Sequence, residues 1–338
     1  MKTKRNKGGI VEPRNFNEIK VYPTSGTLYK KSENTEALEA EKNWYRELPP
    51  ELQFIHPRIY ALEQPGSIIM EYLDYPTAHE LYMGGATDVP SAMEWLRIFE
   101  STKVTMDTLA GDEYTIEIDP VESHELIKTM YVEKTEQRLN ELAKNRLFKA
   151  MYLFDVEING KRYISIREII DTIKRHAWME IGHINRAPII HGDLHLGNML
   201  VYSNGDGVKL IDPRGKFGTH VLHGDARYDV AKLMHSIEGK YDLIIEDEFE
   251  SSIDLEERSI RYSFDRKWKR RSRAVEWAFA QVYGEKISED RKALTIIEAL
   301  LFLSMIPLHT ESAHRQFVML ARGYELMEKA LGSAYVRA

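Results

Sequence analysis

The 338-residue chain contains no cysteine, which excludes disulfides, thiolate metal sites and cysteine nucleophiles and fits a reducing compartment. Long apolar runs are also lacking. The richest, Ala299 to Leu308, is too short to span a bilayer and contains Pro307, so no membrane association is expected. The basic opening Met1-Lys2-Thr3-Lys4-Arg5-Asn6-Lys7 is followed by no apolar segment. Residues 1–9 therefore read as a flexible tail rather than a secretion signal, and a cytoplasmic location is expected. Positive charge is not in excess: 46 Lys and Arg stand against 53 Asp and Glu, for a net charge of −7. That balance argues against a nucleic-acid binder. Neither a G-x-G-x-x-G nor a Walker A sequence occurs, and no internal repeat or low-complexity linker divides the chain. A hydrophobic content of 43% suffices for a core, and the length suggests about two domains or lobes.

What is present is concentrated between residues 191 and 231. The run His191-Gly192-Asp193-Leu194-His195-Leu196-Gly197-Asn198 is followed by Leu210-Ile211-Asp212-Pro213-Arg214-Gly215. Phosphoryl transfer requires a carboxylate to orient the attacking hydroxyl, and oxygen ligands for metal ions that neutralise phosphate charge. Asp193 is the candidate base. Asn198 and Asp212 are the candidate ligands of Mg²⁺, which takes one or two protein oxygens and leaves the rest to phosphate and water. Apolar segments 198–202 and 208–212 flank Ser203-Asn204-Gly205-Asp206-Gly207, a hairpin pattern. With Gly205 at its midpoint, the pairing predicts Asn198 opposite Asp212. A rival reading takes His191, Asp193 and His195, with His220 and His223, as ligands of a metallohydrolase, but it leaves Asn198 without a role. A polar loop without chemistry is the plainer alternative.

These residues resemble the aminoglycoside phosphotransferase and choline kinase branch of the protein-kinase-like superfamily. The branch's loop often reads H-G-D-L-H-x-x-N, and a later G-D-P-x-x-D-L-A is matched here by Gly224-Asp225-Ala226-Arg227-Tyr228-Asp229-Val230-Ala231. Ala226 and Val230 depart from that pattern, as does Pro213-Arg214-Gly215 after the candidate metal Asp. The resemblance implies an α+β, two-lobed fold: a small β-rich lobe at 1–73, a hinge at 71–76 and a mainly helical lobe at 77–338. It further implies transfer of the ATP γ-phosphoryl group, with Mg²⁺, to a hydroxyl of a small molecule such as a sugar, amino alcohol or aminoglycoside. Asp229 would brace the catalytic loop. His191 reads as structural, and His195 as supporting the loop or approaching substrate. A nucleotide-binding pseudokinase or regulatory module is the alternative, against which intact Asp193, Asn198 and Asp212 weigh.

The first part of the chain supplies nucleotide-side candidates. Strands are predicted at Asn17 to Tyr22 and Thr27 to Lys31 around Pro23-Thr24-Ser25-Gly26, whose amides and Ser25 hydroxyl either face phosphate or close an ordinary turn. Lys30 is the candidate phosphate-binding lysine, with Lys31 the alternate because one residue of register decides its face. A helix is predicted from Asn34 to Leu48, capped by Asn34 or Thr35 and ended by Pro49-Pro50. Glu41 falls in its apolar stripe, either as the partner of Lys30 or as a surface residue at the stripe's edge. Ser67 to Leu73 reads as a strand. By the resemblance, the Glu71 carbonyl and Leu73 amide would meet adenine while Met70 lines the pocket behind it.

Beyond the hinge, helices are predicted at Ser91 to Leu109 and Val121 to Ala150. Asn159-Gly160 marks a hairpin, and Ser165-Ile166-Arg167-Glu168 is a capping box opening another helix. The acid-rich segment 246–257 and the basic segment 258–273 read by default as solvated helix faces. The functional alternatives are an acidic wall for a cationic substrate and a basic patch for an acidic or phosphorylated one.

Overall fold

Asn17–Tyr22 (β2) and Thr27–Ser32 (β3) pair antiparallel from Asn17↔Ser32 to Tyr22↔Thr27 in the computed structural model, where Gly26 supplies the left-handed turn at φ 64°. The structure describes residues 10–11, 17–62, 64–84, 89–202 and 205–332, so the basic tail at 1–9 lies outside it. With Ile10–Val11 (β1), Ile59–Ala61 (β4) and Ser67–Glu71 (β5), these strands form a five-stranded antiparallel sheet in the order β1-β2-β3-β5-β4. Asn34 caps the helix Thr35–Glu47 (α1), its side chain accepting from the Ala37 amide at 3.1 Å.

The apolar stripe of α1 packs Leu38, Trp44 and Tyr45 into a core shared with Ile68 and Met70 of the sheet and with Ile189 and Leu222 of the helical part. Trp44 is wholly buried, and its indole N–H donates to the Ile190 carbonyl at 2.9 Å, immediately before the His191 motif. Gly215 lies against the same helix. At φ 61° it is left-handed, and a Cβ there would stand 1.9 Å from the Ala40 carbonyl oxygen.

The remainder is dominated by helices. Reciprocal capping boxes at Ser91 and Ser165 open Ala92–Leu109 and Ile166–Thr172. The helix Arg291–Met305 is buried from Ala293 to Met305 and packs against Lys134–Leu142, Arg227–Ile237 and Ala313–Leu331. Asn159 and Gly160 take φ 50° and 83° in the hairpin between Val156–Ile158 and Lys161–Tyr163. Among the described residues no helix is long and apolar enough to cross a membrane.

Three expectations are corrected. The expected helix 121–150 is broken: Pro120–Ile127, a π turn at Lys128–Glu133 and Lys134–Leu142 are followed by a turn in which the Asn145 side chain accepts from the Leu147 amide. The charge-segregated segment 246–273 is not all helical. Phe249–Asp254 and Ser259–Phe264 form a hairpin whose second strand runs parallel to Val156–Ile158, because Phe249, Ser251 and Ile253 alternate inward at period two beneath the charges. Finally, the hairpin after Asn198 pairs Met199↔Leu210 to Tyr202↔Gly207. Asn198 therefore stands opposite Ile211, whose amide it receives at 3.1 Å, and Asp212 lies one residue beyond.

Two measurements test this packing. Gly215→Ala is expected to lower stability by about 1–3 kcal/mol in urea unfolding by forcing α1 from its seat; an unchanged midpoint would show that the contact is not tight. Glu298 is wholly buried, neither carboxylate oxygen having a hydrogen-bond partner among the described residues, and burial pushes its pKa up to about 8. The folded chain then holds a proton that the unfolded chain releases near pH 4, so this contribution falls as pH rises from about 4 to 8. Glu298→Gln should flatten the decline and gain on the order of 1–3 kcal/mol over wild type at pH 9.

Candidate active site

The alternation of β3 buries Lys30, 5% exposed, and turns Lys31 to solvent. The Lys30 ammonium donates to Glu41 Oε2 at 2.7 Å and to Asp212 Oδ1 at 2.8 Å. A strand, a helix and a distant loop thus converge on one nitrogen. Burial works against its charge, yet Asp212 and Glu41 outweigh burial and hold the Lys30 pKa above its ordinary value. Asp212 is held below the ordinary carboxylate range: burial opposes its charge, and Lys30 overcomes that. Glu41 is the weaker anion, pushed up to about 7 by burial against the pull of Lys30. Asp212 takes a left-handed φ of 58°, a costly conformation for a non-glycine residue that is often found at functional sites.

The loop carrying Asp193 hangs from Asp229, whose two carboxylate oxygens accept from the His191 amide at 2.8 Å and the Gly192 amide at 2.7 Å. Gly192 is at φ 77°, and a Cβ there would meet the Phe217 ring at 2.2 Å, so only glycine fits. Burial pushes Asp229 up to about 7 while the two amides pull it back. His191 is wholly buried. Its Nε2 donates to the Ile211 carbonyl at 2.9 Å and its Nδ1 accepts from the Asp193 amide at 3.3 Å. Burial pushes its pKa down to about 4, so the ring is neutral and ties the loop to the segment before Asp212.

Asn198 Nδ2 donates to the Asp193 carbonyl at 2.9 Å and lies 3.4 Å from Asp193 Oδ2, so Oδ1 is the side-chain atom not used in holding Asp193. Asp193 Oδ1 is 2.7 Å from the Lys232 ammonium, and Oδ2 is 3.8 Å from His195 Nε2. His195 Nδ1 accepts from the Gly197 amide at 3.1 Å, so the neutral ring carries its proton on the nitrogen nearer Asp193.

Lys30, Glu41, Asp193, His195, Asn198 and Asp212 line one cavity of ≈ 500 Å³. Ser25, Met70, Glu71 and Leu73 do not line it. Ser25 is exposed, and its amide and hydroxyl both donate to the Tyr22 carbonyl at 3.2 Å, closing the turn on itself. Met70 is buried in the core beside α1. The Glu71 amide donates to the Arg58 carbonyl at 2.7 Å and the Tyr72 amide to the Gly26 carbonyl at 2.8 Å. Of the other rival ligands, His220 Nε2 lies 3.1 Å from Glu122 Oε1 and His223 Nε2 3.1 Å from the Tyr114 carbonyl oxygen. The sequence reading missed Lys134, Arg138, Tyr228 and Lys232, which also line the cavity. Arg214 was visible only as a departure from a motif.

Solved structures of low sequence identity align with this chain. A choline/ethanolamine kinase family protein from Mesorhizobium loti aligns at 10% identity over 97% of this chain and 90% of its own, with a TM-score of 0.51. An ethanolamine kinase from Plasmodium vivax aligns at 13% identity over 94% and 80%, with a TM-score of 0.52. The fold is the one these two structures have. As expected, it is two-lobed and α+β, and these two neighbours carry names from the choline kinase side of the resemblance drawn from the motifs. An aminoglycoside-3'-phosphotransferase of type VIII also aligns, at 13% identity over 86% and 88%, with a TM-score of 0.46. No protein-family model and no curated protein matches the sequence. Within this kinase-like fold, Asp229→Asn tests the suspension of the loop. An amide has one acceptor oxygen, so one buried backbone N–H loses its partner. Stability should fall by about 1–3 kcal/mol in urea unfolding, and an unchanged midpoint would show that the loop does not depend on Asp229.

Proposed function

We propose that this chain is an ATP-dependent phosphotransferase that moves the γ-phosphoryl group to a hydroxyl of a small molecule, releasing ADP. The observation that carries this reading is the shared cavity, in which the buried Lys30 ion pairs stand beside the Asp193 to Asn198 loop. Lys30, braced by Glu41, holds nucleotide phosphate. Asp193 orients the acceptor hydroxyl and takes its proton, and the developing alkoxide attacks phosphorus as the bond to the ADP oxygen breaks. His195 and Lys232 position the Asp193 carboxylate. The small lobe ends at the hinge 71–76, where the Glu71 carbonyl and Leu73 amide meet the adenine edge.

The residues fit Mg²⁺. Asn198 Oδ1 and the second oxygen of Asp212 are hard ligands beside the phosphate-binding lysine, and the Asp212 side chain is 42% exposed. Bound there, the ion would neutralise charge developing on the transferred phosphoryl group.

The two aspartates separate the roles. Asp193→Asn should leave ATP·Mg²⁺ binding intact by calorimetry and lower acceptor-dependent turnover about 10²- to 10⁴-fold. Asp212→Asn should damage metal-dependent nucleotide binding as well as turnover. Full turnover by Asp193→Asn would remove Asp193 from the chemistry. ATP·Mg²⁺ binding with no turnover on a panel of hydroxyl-bearing metabolites would favour the regulatory-module reading.

A further inference from the structure

One wall of the cavity is cationic. Lys134 and Arg138 stand one turn apart on Lys134–Leu142, Lys232 stands one turn beyond Tyr228 on Arg227–Ile237, and Arg214 follows Asp212; all line the cavity with Asp193. The buried Tyr228 hydroxyl accepts from Lys134 Nζ at 3.1 Å and from Arg214 Nη1 at 2.8 Å, and each cation also lies 5.6 Å from the centre of its ring. Arg138 donates to the Ser304 carbonyl at 2.9 Å. Lys232 is answered by Asp193. The other three are not: among the described residues, Lys134, Arg138 and Arg214 have no carboxylate partner. The carboxylates lining the cavity are Glu41, Asp193 and Asp212, already committed to Lys30 and Lys232.

Partly buried cations gathered without counter-charge are costly unless a ligand supplies it. Burial, with Arg214, Arg138 and Lys232 nearby, holds the Lys134 pKa well below its ordinary value. We infer that this wall is an anion subsite for the acceptor: the molecule whose hydroxyl meets Asp193 carries a carboxylate or phosphate group that Lys134, Arg138 and Arg214 bind. The inference rests on the phosphotransferase reading and names its substrate class. Both arginines offer planar forks suited to an oxyanion and Lys134 adds a point charge. A cationic amino alcohol would meet like charge on the same wall.

The test uses full-length protein saturated with AMP-PNP and Mg²⁺, so that nucleotide phosphates already occupy their own site. Four small alcohols are titrated by calorimetry: glycerol, glycerate, glycerol 3-phosphate and ethanolamine. Glycerate or glycerol 3-phosphate should bind at least about tenfold more tightly than glycerol, the tighter of the two telling carboxylate from phosphate, and ethanolamine should bind no better than glycerol. Lys134→Met and Arg138→Met should each erase most of that preference while AMP-PNP·Mg²⁺ affinity stays within about twofold. Lys134→Met should also melt no lower than wild type, because it removes an uncompensated cation. The inference is overturned if neither anionic probe outbinds glycerol, if ethanolamine binds most tightly, or if the variants keep the preference. It is likewise overturned if they weaken AMP-PNP·Mg²⁺ instead, which would assign the cations to the nucleotide. Failure of the wild type to bind AMP-PNP·Mg²⁺ is a distinct result that removes the phosphotransferase reading and this inference with it.

Discussion

A single buried ammonium organises the centre of this molecule. Lys30 is committed to Glu41 and Asp212 at 2.7 and 2.8 Å, and those partners come from a helix and from a loop 182 residues further along the chain. A buried lysine without such partners would bear the full desolvation cost of its charge. Strand register, the inward rotation of α1 and the left-handed turn at Asp212 must therefore be right together. The other parts of the site are fastened to this point through the backbone, with His191 bridging the Asp193 loop to the Ile211 carbonyl and Asp229 suspending that loop from below.

The site divides into two electrostatic regions. Beside Lys30, two carboxylates share one cation. Beyond Asp193 the balance is reversed, and among the described residues three cations have no carboxylate partner. Asp193 stands at the boundary with Lys232 against one oxygen and His195 near the other, so its orientation is set by groups of the protein itself.

Much of this was legible in the sequence because it is written in local patterns. The Asn34 cap, the Ser165 capping box and the Asn159-Gly160 turn each depend on a few neighbouring residues, and Glu41 could be placed because a carboxylate in an apolar stripe demands a partner. The register error after Asn198 came from treating Gly205 as the turn's midpoint, when four residues separate Tyr202 from Gly207. In the segment 246–273, a count of charges concealed the two-residue alternation of Phe249, Ser251 and Ile253. The cationic wall was illegible for a different reason. Lys134 and Arg138 look like ordinary surface residues of a polar helix until the fold brings Tyr228 and Arg214 against them, and no spacing along the chain encodes that encounter.

The seating of α1 has a consequence for control. The indole of Trp44 is hydrogen-bonded to the Ile190 carbonyl at 2.9 Å, and the backbone of Ala40 rests on Gly215 where no side chain fits. Swinging this helix outward would strand a buried donor and its acceptor, at about 1–3 kcal/mol for each unpaired group, and would strip Lys30 of Glu41. A switch that works by displacing the helix is thus opposed by the packing itself. The same packing keeps Glu41 against Lys30, so the ion pairs of the cavity are held by the scaffold itself rather than assembled by a movement of the helix.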